Sequence, residues 1–171
     1  MSVLLLVDRS TDDPERSAFQ PSVERRRDWL LAGWQSIGAS ANVSYLPEQL
    51  RQAIALERGG RTPAPHQHSH QGAIGSGQGQ TSLDLRSARS VLVGATLLIW
   101  VGADLSHQRL NQADLAQLST WAGERALPAV MTADVIEPST RELRSYGWEA
   151  GYAVNSAEDA AALVTSWRAL A

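Results

Sequence analysis

The stretch Thr96-Leu97-Leu98-Ile99-Trp100-Val101 is a very apolar strand candidate, and the fold prediction starts from it. Polar and apolar side chains do not alternate along it. A strand with one face in water alternates, whereas a strand covered on both faces is apolar throughout. The stretch therefore predicts a central strand of a parallel sheet that has helices on both faces.

Shorter strand and helix patterns alternate on either side of this stretch. The other predicted strands are Val3–Val7, Asn42–Leu46, Ala129–Thr132 and Gly151–Val154. Short strands that alternate with helices are typical of an α/β domain. We therefore predict a three-layer domain of the Rossmann-like or flavodoxin-like kind, with a mainly parallel sheet of about five strands.

Apolar residues at helical spacing predict the helices between these strands. The first helix carries Val23, Leu30, Trp34 and Ile37 on its core side, and Gly38 ends it. A later helix, with Asn111 as its cap, buries Leu115, Leu118, Trp121 and Ala122. The last helix has its stripe at Ala160, Leu163, Val164 and Trp167. Ser139 and Glu142 have the spacing of a capping box, which marks the start of one more helix.

One segment, residues 58–82, has the composition of a linker. It is rich in glycine, proline and glutamine and contains three histidines, with no periodic apolar residues. Such a composition predicts a flexible coil. We therefore expect a single domain, built from residues 1–57 and 83–171 and joined by this linker.

Composition excludes several kinds of chemistry. The 171 residues are 43% hydrophobic and 19% charged, which is globular, and the net charge is only −3. All 15 basic residues are arginines, so a P-loop lysine or a Schiff base is excluded. The absence of cysteine excludes disulfides and thiolate nucleophiles.

The same patterns predict where the chain resides and what it does not bind. The apolar run at residues 3–7 has no basic leader, and residues 91–103 are shorter than the ~20 residues of a membrane span. We expect a cytoplasmic protein that does not bind a membrane. Arg25-Arg26-Arg27 is the only basic cluster, and we interpret it as the solvated side of a helix. We therefore expect no nucleic-acid partner.

Three aspartates follow predicted strands directly or closely: Asp8, Asp104 and Asp134. Because the carboxyl ends of parallel strands meet at one edge, these carboxylates could converge there and bind Mg²⁺. Aspartate is also common in turns and helix caps, and that structural interpretation stays open.

A second metal candidate is His66-Gln67-His68-Ser69-His70. Imidazoles at alternate positions of an extended chain can surround Zn²⁺, Ni²⁺ or Cu²⁺. The low-complexity surroundings favour a solvated tract with adventitious metal affinity.

Three stretches of the front part resemble the opening of the two-domain bacterial glycerate kinases. They are Met1-Ser2-Val3-Leu4-Leu5-Leu6-Val7-Asp8, Leu31-Ala32-Gly33-Trp34 and Ala41-Asn42-Val43-Ser44-Tyr45-Leu46-Pro47. In that family a first strand ends in Asp-Ser-Phe-Lys-Gly, a helix carries Ala-Gly-Trp, and a second strand ends in Leu-Pro.

The back part resembles the end of the same enzymes, where the chain returns to complete a Rossmann-like domain. The matching stretches are Gly94–Gly102, Leu127–Val130, Arg141-Glu142-Leu143, Gly147 and Ala150–Val154. In the family a whole second domain is inserted between the two halves, and here the linker stands in its place. The resemblance implies the discontinuous domain alone, without the insertion.

The resemblance also implies a set of site residues. Asp8 and Asp104 would be catalytic, and Arg9, Gly102 and Gln108 would bind substrate or nucleotide, with Mg²⁺ and ATP as cofactors if the protein is active. The chain departs from the family where lysines are expected, since Arg9-Ser10-Thr11 replaces Ser-Phe-Lys. The basic group beside Asp8 is thus missing unless Arg9 substitutes for it.

Three functional hypotheses follow. The first is a catalytically degenerate relative of glycerate kinase that serves as a binding or interaction module. A homodimer or a partner protein would then cover the site of the missing domain. The second is an active glycerate kinase that transfers phosphate from ATP to D-glycerate. The third is a metal-binding protein that acts through His66, His68 and His70.

Overall fold

A five-stranded parallel sheet organises the part of the chain that the computed structural model describes, residues 2–13, 15, 19–46 and 92–169. In chain order the elements are β1 (Ser2–Val7), a 3-10 helix (Arg9–Thr11), α1 (Val23–Ser36), β2 (Ser40–Tyr45), β3 (Leu97–Val101), β4 (Asp104–Leu105), α2 (His107–Leu110), α3 (Ala113–Glu124), β5 (Ala129–Ala133), β6 (Val135–Ile136), α4 (Thr140–Ser145), β7 (Ala150–Ala153) and α5 (Ala157–Trp167).

The strand order of the sheet is β2-β1-β3-β5-β7, and every neighbouring pair is parallel. From β1 the chain moves outward to β2, then resumes at β3 on the opposite side of β1. The order therefore reverses between β1 and β3, and this reversal is the topological switch point of a doubly wound sheet. The three-layer α/β prediction is confirmed, and the sheet is wholly rather than mainly parallel.

Side chains from successive residues of a strand enter opposite apolar layers. Leu4 and Leu6 pack in the layer that includes α3, whereas Leu5 and Val7 pack in the layer of α1 and α5. All five residues of β3 are completely buried, as predicted for a strand covered on both faces.

The predicted helix stripes are confirmed in α3 and α5. Their buried residues include Leu115, Leu118, Trp121 and Ala122 in α3 and Ala160, Leu163, Val164 and Trp167 in α5. The capping box at α4 is also present, with the Ser139 hydroxyl and the Glu142 carboxylate each bonded to the other residue's backbone N–H.

One predicted helix cap and one predicted core residue are wrong, although Gly38 does end α1 as predicted. Asn111 does not begin α3, because Ser106 caps the additional helix α2 and leaves Asn111 at the C-terminus of that helix. Ile37 lies outside the core and is 42% exposed, since α1 ends at Ser36 and Gly38 turns the chain with a φ of +75°.

The sequence patterns also missed β4 and β6, which follow β3 and β5 and pair with each other in parallel. Each strand has two residues, too few to show a periodicity. The predicted linker lies outside the described residues. The spacing of Leu50 and Ile54 also predicts a short helix, and these residues lie outside the described part of the chain as well.

Within the residues that the structure describes, no helix is long and apolar enough to cross a membrane. The longest of them, α1, has 14 residues.

Candidate functional site

In open α/β sheets, ligands bind outside the carboxyl edge of the sheet at the switch point. Asp8 follows β1 there, and Gly102 and Ala103 follow β3. The connections that follow β1 and β3 are hydrogen-bonded to each other. The Asp8 N–H donates to the Val101 carbonyl at 2.8 Å, and the Ala103 N–H donates to the Thr11 hydroxyl, also at 2.8 Å.

The Asp8 carboxylate is completely buried beneath this edge. Its Oδ1 accepts hydrogen bonds from the Ser10 hydroxyl at 2.6 Å and from the Ser10 N–H at 3.2 Å. Its Oδ2 accepts from the Trp100 indole N–H at 3.2 Å and forms an ion pair with the Arg109 guanidinium. Both carboxylate oxygens are therefore bonded to groups of the protein itself.

Arg109, from α2, supplies the cation that Asp8 requires. The guanidinium also bonds the Asp114 carboxylate at 3.0 and 3.1 Å and the Gln112 side chain, so it ties β1 to the start of α3. Burial alone would lower the pKa of Arg109. The hydrogen bond to Asp114 and the charges of Asp8 and Asp114 outweigh burial and raise this pKa, so the group stays charged.

Gly102 lies directly against Trp100. A Cβ atom on Gly102 would be 2.0 Å from Cη2 of the indole ring, so this position admits glycine alone. The Gly102 N–H donates to the Thr132 carbonyl at 2.9 Å. Because residue 102 has no side chain, the Trp100 ring can lie against its backbone, and the indole N–H reaches the Asp8 carboxylate.

Arg26 is a second buried arginine at the carboxyl edge, and it corrects the interpretation of the arginine triplet as solvated. Its side chain has no exposed surface. The guanidinium donates to the Val154 carbonyl at 2.7 Å and to the Gly102 carbonyl at 2.6 Å, and it lies 4.0 Å from Asp134. Arg26 thus joins α1 to the ends of β3 and β7.

The three predicted carboxylates do not share one site. Asp8 faces Arg109, Asp134 faces Arg26, and Asp104 is exposed at the start of β4. Among the described residues, no group of three or more histidine, aspartate or glutamate side chains is arranged to hold a metal ion. His66, His68 and His70 lie outside the described residues.

Arg9 does not replace the missing lysine beside Asp8. Its side chain is 62% exposed and points away, to the Glu24 carboxylate, and it stacks 4.0 Å above the centre of the Tyr45 ring. The hydrogen bond to Glu24 is the main cause that raises the pKa of Arg9. Gln108, the other predicted binding residue, is exposed on α2.

No sequence pattern grouped Arg109, Trp100 and Asp114 around Asp8. Arg109 is separated from Asp8 by 101 positions, and its helix has four residues. One signal was present: in a chain without lysine, a buried aspartate that needs a cation must find an arginine or a histidine. The sequence matches no protein-family model and no curated protein.

Proposed function

We propose that this protein is a non-catalytic binding and interaction module, a degenerate relative of the Rossmann-like half of the glycerate kinases. The proposal rests chiefly on one observation, the Asp8 carboxylate. Phosphoryl transfer requires acidic groups that can bind Mg²⁺ and positioned cations that face the transferring phosphate. Asp8 is instead buried and bonded to Arg109, Trp100 and Ser10.

The start of α1 supports the same proposal. In nucleotide-binding α/β proteins the first helix presents free N–H groups to a phosphate. Here the Asp12 carboxylate accepts a hydrogen bond from the Val23 N–H at 3.2 Å, and the Ser22 hydroxyl accepts from the Arg25 N–H at 3.2 Å. A carboxylate of the chain thus lies where a phosphate would bind, and its negative charge would repel one.

A module of this kind would act through its surface rather than through a cleft that excludes water. The partners that we propose are a second copy of the chain or another protein that covers the side where the glycerate kinases carry their second domain. An exposed apolar side left by the loss of a domain would favour such an association.

The first experiment measures phosphorylation of D-glycerate by purified protein with Mg-ATP. We expect no turnover above that of the Asp104→Asn variant, which keeps the buried Asp8–Arg109 pair and controls for contaminating kinase. Turnover in the wild-type protein that is lost in Asp104→Asn would overturn the proposal and establish an active phosphotransferase. Circular dichroism of both proteins verifies that they are equally folded.

The second experiment measures the mass of the protein in solution by light scattering after gel filtration. A homodimer has twice the 18.5 kDa of one chain. A single species with the mass of one chain at all concentrations would remove the homodimer and leave a different protein as the proposed partner.

A further inference from the structure

His107 lies between two glutamates at the surface, close to the site described above. It is the first residue of α2. Its ring Nδ1 is 3.3 Å from Oε2 of Glu137, which follows β6, and its Nε2 is 3.2 Å from Oε1 of Glu142 on α4. Both ring nitrogens therefore face a carboxylate oxygen.

Two carboxylates attract the ring most strongly when both of its nitrogens carry a proton. A neutral imidazole carries one N–H donor and one lone pair, so one of its nitrogens would face a carboxylate lone pair to lone pair. An imidazolium donates from both nitrogens and attracts both negative charges. Histidine is also the side chain that ordinarily changes its charge between about pH 5 and pH 8.

The two glutamates also hold the starts of two helices. Glu137 accepts a hydrogen bond from the backbone N–H of His107 at 3.2 Å, which satisfies a free donor at the start of α2. Glu142 accepts from the Ser139 N–H at 2.8 Å and from the Ser139 hydroxyl at 2.7 Å, which completes the cap of α4. A protonated His107 therefore bridges α2 to α4.

We propose that His107 is a pH-dependent latch that fastens α2, and with it Arg109, to α4 when the imidazole is protonated. As the pH rises and the ring loses one proton, one of the two contacts is lost. Arg109 lies two residues further along α2 and holds the buried Asp8 carboxylate. The latch thus makes the rigidity of one wall of the carboxyl edge depend on pH.

Two arginines on the bridged helices are bonded to other groups. The Arg109 guanidinium, on the same helix as His107, is bonded to Asp8 and Asp114. On α4, the Arg144 guanidinium donates to the Glu149 carbonyl at 3.2 Å. The pKa of Glu142 is lowered, first by its hydrogen bonds from Ser139 and further by His107, so this carboxylate is charged above the ordinary glutamate pKa of about 4.3.

The test is amide hydrogen exchange, followed by NMR, at about pH 5.5 and about pH 8. The probes are the N–H groups of Leu110 and Asn111, which donate to the carbonyls of Ser106 and His107 within the turn of α2. After correction for the intrinsic exchange rates, we expect their protection to be about two- to fivefold higher at the lower pH, the range for a surface ion pair.

Two variants identify the source of the effect. His107→Gln should abolish the pH difference, while a variant with glutamine at His66, His68 and His70 should retain it. If His107→Gln does not fold, Glu142→Gln serves instead, because glutamine still completes a capping box and only the charged partner of Nε2 is lost. Equal protection at both pH values in the wild-type protein, or a pH difference that persists in these variants, would overturn the proposal.

Discussion

Asp8 and Arg9 are neighbours in the sequence, yet each belongs to an arginine–carboxylate pair of a different kind. In the Asp8–Arg109 pair, the exposed fractions of the two side chains are 0% and 10%. In the Arg9–Glu24 pair they are 62% and 34%. The first pair lies under the carboxyl edge between β1 and β3, and the second lies at the surface between β1 and α1.

The two pairs have the same chemistry, and their surroundings determine what each contributes. Water screens the Arg9–Glu24 pair and would solvate either partner left alone. Neither member of the Asp8–Arg109 pair has that alternative, because an unpaired charge in the interior has lost its hydration. The buried pair therefore constrains the fold, whereas the exposed pair contributes little to its stability.

The largest effect is expected for Arg109→Met, which keeps the length of the side chain and removes its charge. Asp8 would remain buried without its cation, which costs about 3–5 kcal/mol of unfolding free energy. Urea denaturation of the variant and the wild-type protein measures the difference. A loss below about 1 kcal/mol would place this pair in the class of surface ion pairs. The double variant with Asp8→Asn should recover part of the stability, because it removes the unpaired charge.

A smaller loss is expected for Gly102→Ala, which tests the support under the buried pair. The added Cβ would overlap Trp100, whose indole N–H donates to Asp8, so the ring or the β3 connection must shift. Overpacking of this kind costs about 1–3 kcal/mol. Urea denaturation measures the loss, and near-ultraviolet circular dichroism reports the tryptophan environment. Gly123→Ala is the matched control, since a Cβ at Gly123 meets no atom within 4 Å. An equal effect in both variants would contradict the packing account.

A still smaller effect, and one that depends on pH, is expected for Glu142→Gln in the exposed cluster. The pKa of Glu142 is lowered in the folded protein, chiefly by the hydrogen bonds from Ser139. Its carboxylate therefore stabilises the fold above the ordinary glutamate pKa of about 4.3, and this contribution is lost as the pH falls through the lowered value. Wild-type protein should unfold at a higher urea concentration than the variant at about pH 6, and the difference should shrink toward about pH 3. A difference that grows on acidification would show the opposite sign.

The smallest effect is expected for Arg9→Met, the matched counterpart of Arg109→Met. Solvent already screens Arg9 from Glu24, so the urea midpoint should stay within the error of the measurement. A loss comparable to that of Arg109→Met would remove the distinction between the two pairs and would show that the stacking of Arg9 on Tyr45 supports the fold.

Patterns local in sequence predicted most of the fold. The uninterrupted apolar run at β3, the stripes of α3 and α5 and the capping box at Ser139 each lie within a few turns or residues. Hydrophobic burial favours a strand for the apolar run and helices for the stripes. The capping box depends on hydrogen bonds within one helical turn. The failures are also local. Ser106 rather than Asn111 caps a helix, so Asn111 lies at the end of α2 and not at the start of α3. The strands β4 and β6 have two residues each, too few to show a periodicity.

The candidate site was predicted only in part. Asp8 at the end of β1 and Gly102 at the end of β3 were correctly placed at the carboxyl edge, because parallel strands bring their carboxyl ends together. The basic group beside Asp8 was expected to be missing unless Arg9 substituted for it, and Arg109 is the cation that the structure places there. Sequence neighbours point in different directions at the end of a strand, so proximity along the chain does not select an ionic partner.

The sequence by itself determined the α/β class and the central position of β3. It also determined that a buried carboxylate must pair with an arginine or a histidine, because the chain contains no lysine. Those properties depend on composition and on short-range periodicity, which act through burial alone. Only the tertiary structure decided which arginines are buried, that Asp8 is bonded on every side, and that His107 lies between two glutamates. Those contacts join residues far apart in the chain, and they exist only once the sheet has brought its strand ends together.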